Sequence, residues 1–414
     1  MLKLNLEQIK VSKNWLLSFI LSSALLLFLI SESLLAAENT LSIWPKLAGG
    51  LFLFICIILA NKINRAFLFI LLPLLLIFVY NFFISYNEKA ATEALIRFIV
   101  PMLIVLALMK VQNLNSLIRF FLFLTISNDL YQIYAYLAFA LGLPTLLDAR
   151  LEAGYIIRAE GWVGFFSLFG FMNFCAFVCT AHTDIVKNKV LKKLLTKWFL
   201  LFTLLSTSVK AVAALAIYLM VIARNSKLKV AATIVSVAIP LALIVPKNIS
   251  EDLFLTLDSK VAFYLTVGNS ARYESYRVMI ESLSKPNVFG EGLGSFGGPA
   301  STKYNSPSYD EYDFNWYGLE GLLSTTDTMY PHIFVELGLL GGLLYLGFLF
   351  LYGQRYPSAL WVVIVGAFII DNFASFAMLS PPYFFTAALF MSLFSRQVLQ
   401  KGPRTGVLCV AKNG

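Results

Sequence analysis

Long apolar runs separated by short polar connectors recur along almost the whole chain. Five runs lie in the first third, near residues 14–36, 47–60, 66–84, 94–109 and 115–143. Seven more lie near residues 161–182, 194–208, 210–223, 228–246, 329–352, 357–376 and 378–395. A helix needs about 20 consecutive apolar residues to cross a bilayer. The pattern therefore predicts an all-α, polytopic integral membrane protein with about 12 transmembrane helices.

One connector is much longer and more polar than the others, and it divides the chain. We predict transmembrane spans 1–9 over residues 1–246, a large extracytoplasmic loop over residues 247–328, spans 10–12 over residues 329–398 and a cytoplasmic tail over residues 399–414. Long ordered loops are usually functional, so we expect the chemistry of this protein in or beside the loop.

The lysines and arginines predict the orientation, because short cytoplasmic connectors carry the excess of positive charge. Basic residues concentrate in alternate connectors, in the N-terminal segment and in the C-terminal tail. Both termini are therefore predicted to be cytoplasmic, with the large loop on the outer face. Most of the formal net charge of +9 then faces anionic membrane lipid. No nucleic-acid partner is needed to explain it.

The overall composition excludes a water-soluble protein. The chain has 59% hydrophobic and 13% charged residues over its 414 positions, which a water-soluble domain of this size would not tolerate. The stretch Gly292 to Gly297 fits a dinucleotide-binding pattern, but no βαβ unit can surround it. We interpret the glycine-rich stretch as a flexible or tightly turned loop after a helix. The four cysteines predict no disulfide framework, and the two histidines, on opposite faces, predict no metal site.

Four charged residues interrupt apolar runs: Arg97, Asp129, Lys210 and Asp371. A charge at the bilayer centre costs roughly 2.5–3.5 kcal/mol, so each is a candidate for function. All but Asp129 are predicted near the outer end of a span, on the side of the loop and of Arg158. Snorkelling or structural pairing explains each residue singly. Together, outer-face cations suit a lipid-linked phosphate or diphosphate, which guanidinium groups bind through bidentate hydrogen bonds.

The loop adds two further groups of candidates. A predicted helix carries Arg272 and Arg277. The run "YNSPSYDEYDFNWYG", Tyr304 to Gly318, interleaves aromatic residues with carboxylates, which suits a sugar that offers apolar C–H faces and hydroxyls. We take Tyr312, Trp316 and Tyr317 as the candidate glycan-binding residues. An aromatic belt at the membrane interface explains the same rings.

Four motifs resemble those of the bacterial O-antigen polymerase and O-antigen ligase superfamily. They are "RAEG" at residues 158–161, "STSVKA" at residues 206–211, "ARYESYRVMIESLSKPNVFGEGLGSF" at residues 271–296 and "DTMYPHIFVELGLLGGLLYL" at residues 327–346. Ligases of this family have a histidine, thought to be catalytic, at the position where Asp327 stands here. That departure favours the polymerase.

The resemblance implies a polymerase of the bacterial inner membrane that joins undecaprenyl-diphosphate-linked oligosaccharide units on the periplasmic face, with no metal and no cofactor. Its diphosphate site is expected to use Arg158, Arg272, Arg277 and Lys210. Asp327 or Glu336 is expected to orient or deprotonate the acceptor hydroxyl. A helix cap is the structural alternative for Asp327. A polysaccharide chain-length regulator is a candidate partner.

Three other functions stay open at this level. A ligase would transfer the finished glycan to lipid A core. A flippase for lipid-linked sugar would also need many spans, but not a large outer loop. A structural subunit of a glycan-assembly complex would need no catalytic residues.

Overall fold

A computed structural model describes residues 2–59, 65–147, 151–152, 156–222, 271–314, 325–351 and 357–400. Eight helices make up the first half: α1 (Leu2–Ala36), α2 (Ile43–Leu59), α3 (Arg65–Phe83), α4 (Glu88–Lys110), α5 (Asn115–Leu141), α6 (Phe166–His182), α7 (Lys189–Leu205) and α8 (Val209–Ile222). A two-residue antiparallel pair, β1 (Leu151–Glu152) and β2 (Ile156–Ile157), lies between α5 and α6.

After residue 222, the next described residues contain three helices of the predicted loop, α9 (Ala271–Ser284), α10 (Pro299–Lys303) and α11 (Ser308–Glu311). Three longer helices follow: α12 (Met329–Leu351), α13 (Ala359–Asn372) and α14 (Pro381–Gln400). The predicted helical class is confirmed, and each apolar run within the described residues is helical. The run at residues 228–246 lies outside them.

Among the described residues, length and apolar composition allow four helices to cross a membrane: Asn14–Ala36, Thr40–Leu59, Glu88–Lys110 and Met329–Leu351. Four apolar helices are shorter: Phe69–Phe83, Phe166–His182, Lys210–Ile222 and Ala359–Asn372. The chain is therefore an α-helical protein with membrane-spanning character, and twelve spans remain a prediction. Helix α7 differs from the others because four lysines lie along it, Lys189, Lys192, Lys193 and Lys197.

Side-chain contacts separate the helix ends into two groups. The end that contacts residues 271–314 we call the loop end; there the backbone N–H of Leu293 donates to the carbonyl of Asn81 near the end of α3. At the opposite end, the Nη2 of Arg396 donates to the carbonyl of Leu108, 3.0 Å away, which joins the ends of α14 and α4. Helix α4 therefore starts at the loop end, where Glu93 pairs with Lys303, and finishes at the opposite end.

Polar side chains buried among the helices hold the bundle together. The Asp129 carboxylate on α5 accepts hydrogen bonds from Asn173 on α6 and from Trp198 on α7, both at 2.9 Å. Apolar side chains gain little by leaving lipid for a helix interface, so close packing and such bonds stabilise helix association. This mid-span acid therefore has a structural role in joining three helices.

The neighbouring polar residues of α5 anchor the segment before α6. The Gln132 side chain accepts the backbone N–H groups of Glu160 and Gly161 at 2.9 and 2.8 Å, and the Asn128 side chain accepts that of Val163. Gly161 has φ +61°, and a Cβ there would lie 1.9 Å from the Asn128 Oδ1. The "RAEG" motif is thus a segment fixed against α5.

Helix α12 is broken at Gly338, where φ is 70° and ψ is −179°. The glycine-rich segment at residues 287–298 is inserted into the break. Its Asn287 and Val288 carbonyls accept the N–H groups of Leu339 and Leu340, both at 3.0 Å. The N–H of Glu291 in turn donates to the carbonyl of Val335. Irregular backbone at membrane depth is tolerated only when protein satisfies it, and the segment does so here.

The break predicts a strict requirement for glycine at residue 338. A Cβ there would lie 2.4 Å from the Gly290 nitrogen and 2.6 Å from the Val288 carbonyl. We expect Gly338→Ala to lower the melting temperature of the detergent-solubilised protein by several degrees or to abolish a monodisperse preparation. Gly347→Ala in the same helix is the control, because no atom lies within 4 Å of its Cβ position. Equal melting of both variants would contradict the structure.

Candidate functional site

The loop end brings together Arg272, at the start of α9, and Asp327, just before α12. The Arg272 Nη2 lies 3.0 Å from the Asp327 Oδ2, and the Asp327 side chain is 59% exposed. Asp327 has φ +54°. Thr325 fixes it from both sides, by donating to its carboxylate at 3.1 Å and accepting its backbone N–H at 2.9 Å. The predicted acid therefore pairs with a predicted diphosphate ligand.

A second ion pair lies close to the first. The Lys210 Nζ, at the start of α8, lies 2.8 Å from the Asp371 Oδ1 at the end of α13. Asp371 is 2% exposed and also accepts a hydrogen bond from Ser375 at 3.1 Å. The pair lines a small cleft with Ser167 and Tyr383, from the starts of α6 and α14. Lys210 and Asp371, which are predicted from the sequence to lie on the same side of the membrane, are thus in direct contact.

Three aromatic residues join the elements that carry the two pairs. The Tyr276 hydroxyl donates to the carbonyl of Phe373 at 2.9 Å, and the Tyr330 ring lies 4.8 Å from the Phe373 ring. The Tyr330 hydroxyl donates to the carbonyl of Ile369 at 2.9 Å. These contacts join α9, α12 and the end of α13, so they place Arg272 and the Lys210–Asp371 pair on one end of the bundle.

Arg158 reaches the same end from another direction. Its guanidinium carbon lies 4.1 Å from the centroid of the Phe166 ring at the start of α6. The next residue, Ala159, donates its N–H to the carbonyl of Leu205 at the end of α7. Because Ser167 lines the Lys210 cleft, Arg158 stands beside the helix start that borders the cleft.

Arg277 has a different role from the one predicted for it. Its Nε and Nη1 bond Glu274 and Glu281 at 2.7 and 3.1 Å, and its Nη2 bonds the carbonyls of Tyr312 and Asp313. With its three nitrogens thus bonded, Arg277 fastens the segment after α11 to α9. We therefore leave it out of the proposed diphosphate site.

Glu336 is fully buried beneath the glycine-rich segment. Its Oε1 lies 3.2 Å from the His332 Nδ1 and accepts the N–H of Phe296 at 3.3 Å. The His332 ring is also buried and stacks on the Phe98 ring at 5.0 Å, 8° from parallel. This position gives Glu336 a packing role under the segment, and Asp327 remains as the accessible acid.

Tyr312 is also buried, at 4% exposure, in a small core with Phe296, Phe314 and Val335. Its hydroxyl donates to the Glu291 carboxylate at 2.5 Å, and its burial together with this bond raises the pKa of Tyr312 above the usual value. The ring therefore packs inside the loop and offers no face to a glycan. The other two predicted glycan ligands, Trp316 and Tyr317, lie outside the described residues.

The sequence reasoning missed the aromatic face beside Arg272. Phe373 is 52% exposed and Tyr273 is 37% exposed. The available signal for Phe373 was its position near the end of the apolar run at residues 357–376. An aromatic residue of an interface belt would occupy the same position, and nothing in the pattern separates the two. Within the described ranges, no three side chains of His, Cys, Asp or Glu are grouped as metal ligands would be.

The burial of Asp371 predicts that removing its charge destabilises the protein more than removing the charge of an exposed acid. Breaking a buried ion pair costs about 3–5 kcal/mol, whereas an exposed pair contributes about 0–1 kcal/mol. We expect Asp371→Asn to lower the melting temperature by several degrees, because Lys210 loses its partner. Asp184→Asn is the control, since the pair of Asp184 with Lys192 is 3.2 Å long and the Asp184 side chain is 95% exposed. Equal small shifts would contradict a structural role for the buried pair.

Comparison with protein-family models gives no match for this chain, and comparison with curated proteins gives none either.

Proposed function

We propose that this protein is a membrane glycosyltransferase that polymerises lipid-linked oligosaccharide units. One observation carries the proposal: a guanidinium and an accessible carboxylate, Arg272 and Asp327, lie 3.0 Å apart at the loop end of an apolar helix bundle. Arginine holds phosphate oxygens through bidentate, charge-assisted bonds. A carboxylate next to it can accept a proton from a hydroxyl. Transfer of a glycan from a lipid diphosphate to a hydroxyl requires both of these functions.

The substrate class follows from the surroundings of the pair together with the family resemblance. Arg158 adds positive charge at the same end of the bundle. The charge of Lys210 is compensated by Asp371, so we leave Lys210 out of the proposed diphosphate site. The exposed rings of Phe373 and Tyr273 offer apolar surface to the C–H faces of a sugar. The apolar helices offer a path for a polyprenyl tail. We therefore propose an undecaprenyl-diphosphate-linked oligosaccharide as both donor and acceptor.

In the proposed reaction, an acceptor hydroxyl oxygen attacks the anomeric carbon of the donor glycan. The bond from that carbon to the diphosphate oxygen breaks, and the diphosphate leaves with the electron pair. Arg272, with Arg158, stabilises the charge that develops on it. Asp327 takes the hydroxyl proton. Direct attack inverts the configuration at the anomeric carbon.

The charge distribution supports placing the loop end on the outer face of a bacterial inner membrane. The short connectors at the opposite end of the described bundle, with the helix ends beside them, carry Lys110, Arg119, Lys187, Lys189, Lys192, Lys193 and Arg396, whereas several basic residues of the loop end pair with carboxylates. Positive charge of this kind marks the cytoplasmic side. Both termini would then be cytoplasmic, and a chain-length regulator could meet the loop from the periplasm.

A reconstitution tests the polymerase directly. Purified protein in liposomes is supplied with a single undecaprenyl-diphosphate-linked repeat unit, and product length is read on a gel. We expect a ladder of lipid-linked oligomers, because one substrate serves as donor and acceptor. A repeat unit that is converted only after lipid A core is added would identify a ligase instead. Movement across the bilayer without any new glycosidic bond would identify a flippase.

Variants of the central pair separate catalysis from folding. We expect Asp327→Asn to reduce polymer formation by about 10²–10⁴, the range for loss of a general base. Arg272→Lys should reduce it by about tenfold or more, because bidentate binding is lost. Lys89→Arg, an exposed residue at the loop end, is the matched control with wild-type activity expected.

The charge swap Arg272→Asp with Asp327→Arg tests whether this ion pair takes part in catalysis or only stabilises the protein. The swap restores an exposed pair, so melting should stay close to wild type, while polymer formation should remain lost. Full activity of the swapped protein would contradict the assigned roles, and so would full activity of Arg272→Lys and Arg158→Lys.

A further inference from the structure

A polar cavity of about 410 Å³ opens at the opposite end of the bundle, away from the proposed glycan site. Its walls come from the connector between α4 and α5, the end of α6 with the residues that follow it, and the end of α14. The polar lining includes Asn113, Asn115 and Thr183. Nothing in the proposed transfer reaction uses this cavity.

Three cationic side chains line the cavity: Arg119, Lys187 and Arg396. Arg119 and Lys187 are exposed and make no ion pair with any residue that the structure describes. Among the described residues of the lining, the carboxylate is that of Asp184, which lies 3.2 Å from Lys192 and is compensated by it. The cavity therefore has an excess of positive charge and free guanidinium and ammonium donors.

Arg396 forms a fixed part of the wall. Its Nη2 donates to the carbonyl of Leu108 at 3.0 Å, and its Nη1 donates to the carbonyl of Val111. These carbonyls end α4, so the guanidinium is held between two helices. Helix α5 begins at the same cavity, and its N-cap residue, Leu114, makes no side-chain capping bond. The positive end of that helix adds to the field of the three cations.

Exposed apolar side chains lie near the cavity, as expected at the depth of lipid headgroups. Asn14 on α1 accepts the backbone N–H of Gln112, a cavity residue, at 3.0 Å. The next residue, Trp15, is 64% exposed, and exposed tryptophans of membrane proteins collect at the headgroup level. On α7, Val190 is 79% and Leu194 is 60% exposed, as expected of side chains that face lipid.

We propose that this cavity binds a phosphate group, and that the headgroup of an anionic phospholipid supplies it. Basic pockets between helices at the cytoplasmic surface suit such headgroups, because charge attracts the phosphate and the acyl chains stay in the bilayer. Arg119 and Lys187 contact the phosphate oxygens, and Arg396 forms the rigid wall behind them. Bound lipid then fastens the ends of α4, α6 and α14 together.

The test uses the full chain purified in detergent. Melting temperature is followed as phosphatidylglycerol, phosphatidylcholine or inorganic phosphate is added, and native mass spectrometry counts the lipids retained. We expect phosphatidylglycerol to raise the melting temperature by several degrees and phosphatidylcholine to leave it unchanged. The shift should weaken in 1 M salt, where the screening length falls to about 3 Å.

A double variant, Arg119→Gln with Lys187→Gln, removes the two exposed cations of the cavity. It should melt like wild type without lipid and bind phosphatidylglycerol at least about tenfold more weakly. The matched control, Lys89→Gln with Lys285→Gln, removes the same charge from the loop end and should bind like wild type. If the double variant does not fold, Arg119→Gln alone gives the same comparison.

An unchanged phosphatidylglycerol shift in the cavity variant would overturn the site. The same holds for equal weakening in the control variant, because binding would then follow net charge alone. Stabilisation of wild type by inorganic phosphate to the same extent, lost in the cavity variant, would support the phosphate site and overturn its assignment to a lipid.

Discussion

Backbone hydrogen bonding at membrane depth is the constraint on which this structure depends. A helix that breaks inside a bilayer exposes N–H groups that lipid cannot satisfy. Helix α12 breaks at Gly338, and the carbonyls of Asn287 and Val288 fill the two positions after the break. The glycine-rich segment is therefore part of the helix bundle. It fixes the end of α9, and with it the position of Arg272, against the start of α12.

A charged side chain that is buried among the helices likewise needs a partner. Lys210 and Asp371 line a small cleft, and each compensates the other, so the pair suits a structural role. Arg272 and Asp327 pair at the surface, where an incoming anion can compete for the guanidinium and the acid is 59% exposed. Arg277, by contrast, is bonded through all three nitrogens. The exposed carboxylate of Asp327 separates the proposed catalytic pair from the Lys210–Asp371 pair, whose acid is buried.

The two ends of the bundle carry different chemistry. The loop end combines paired charges with exposed aromatic rings, as a site for a charged and sugar-bearing substrate would. At the opposite end, Arg119 and Lys187 make no ion pair within the described residues and line a cavity, which suits a ligand that brings negative charge alone. A lipid held there would fasten the bundle without contact to the transfer site, because the two ends are separated by the length of the helices.

The sequence by itself determined the helices, since runs of apolar residues can satisfy their backbone in lipid only as helix. It also placed Lys210 and Asp371 on one side, and it identified residues 287–298 as a turned segment after a helix. Only the tertiary structure decided which charges pair and which aromatic rings are buried. Tyr312 and Glu336 have the residue types of a site, yet both are buried around the glycine-rich segment. Such partners are brought together by contacts between residues far apart in the chain, such as Asn81 with Phe289, and local pattern does not contain that information.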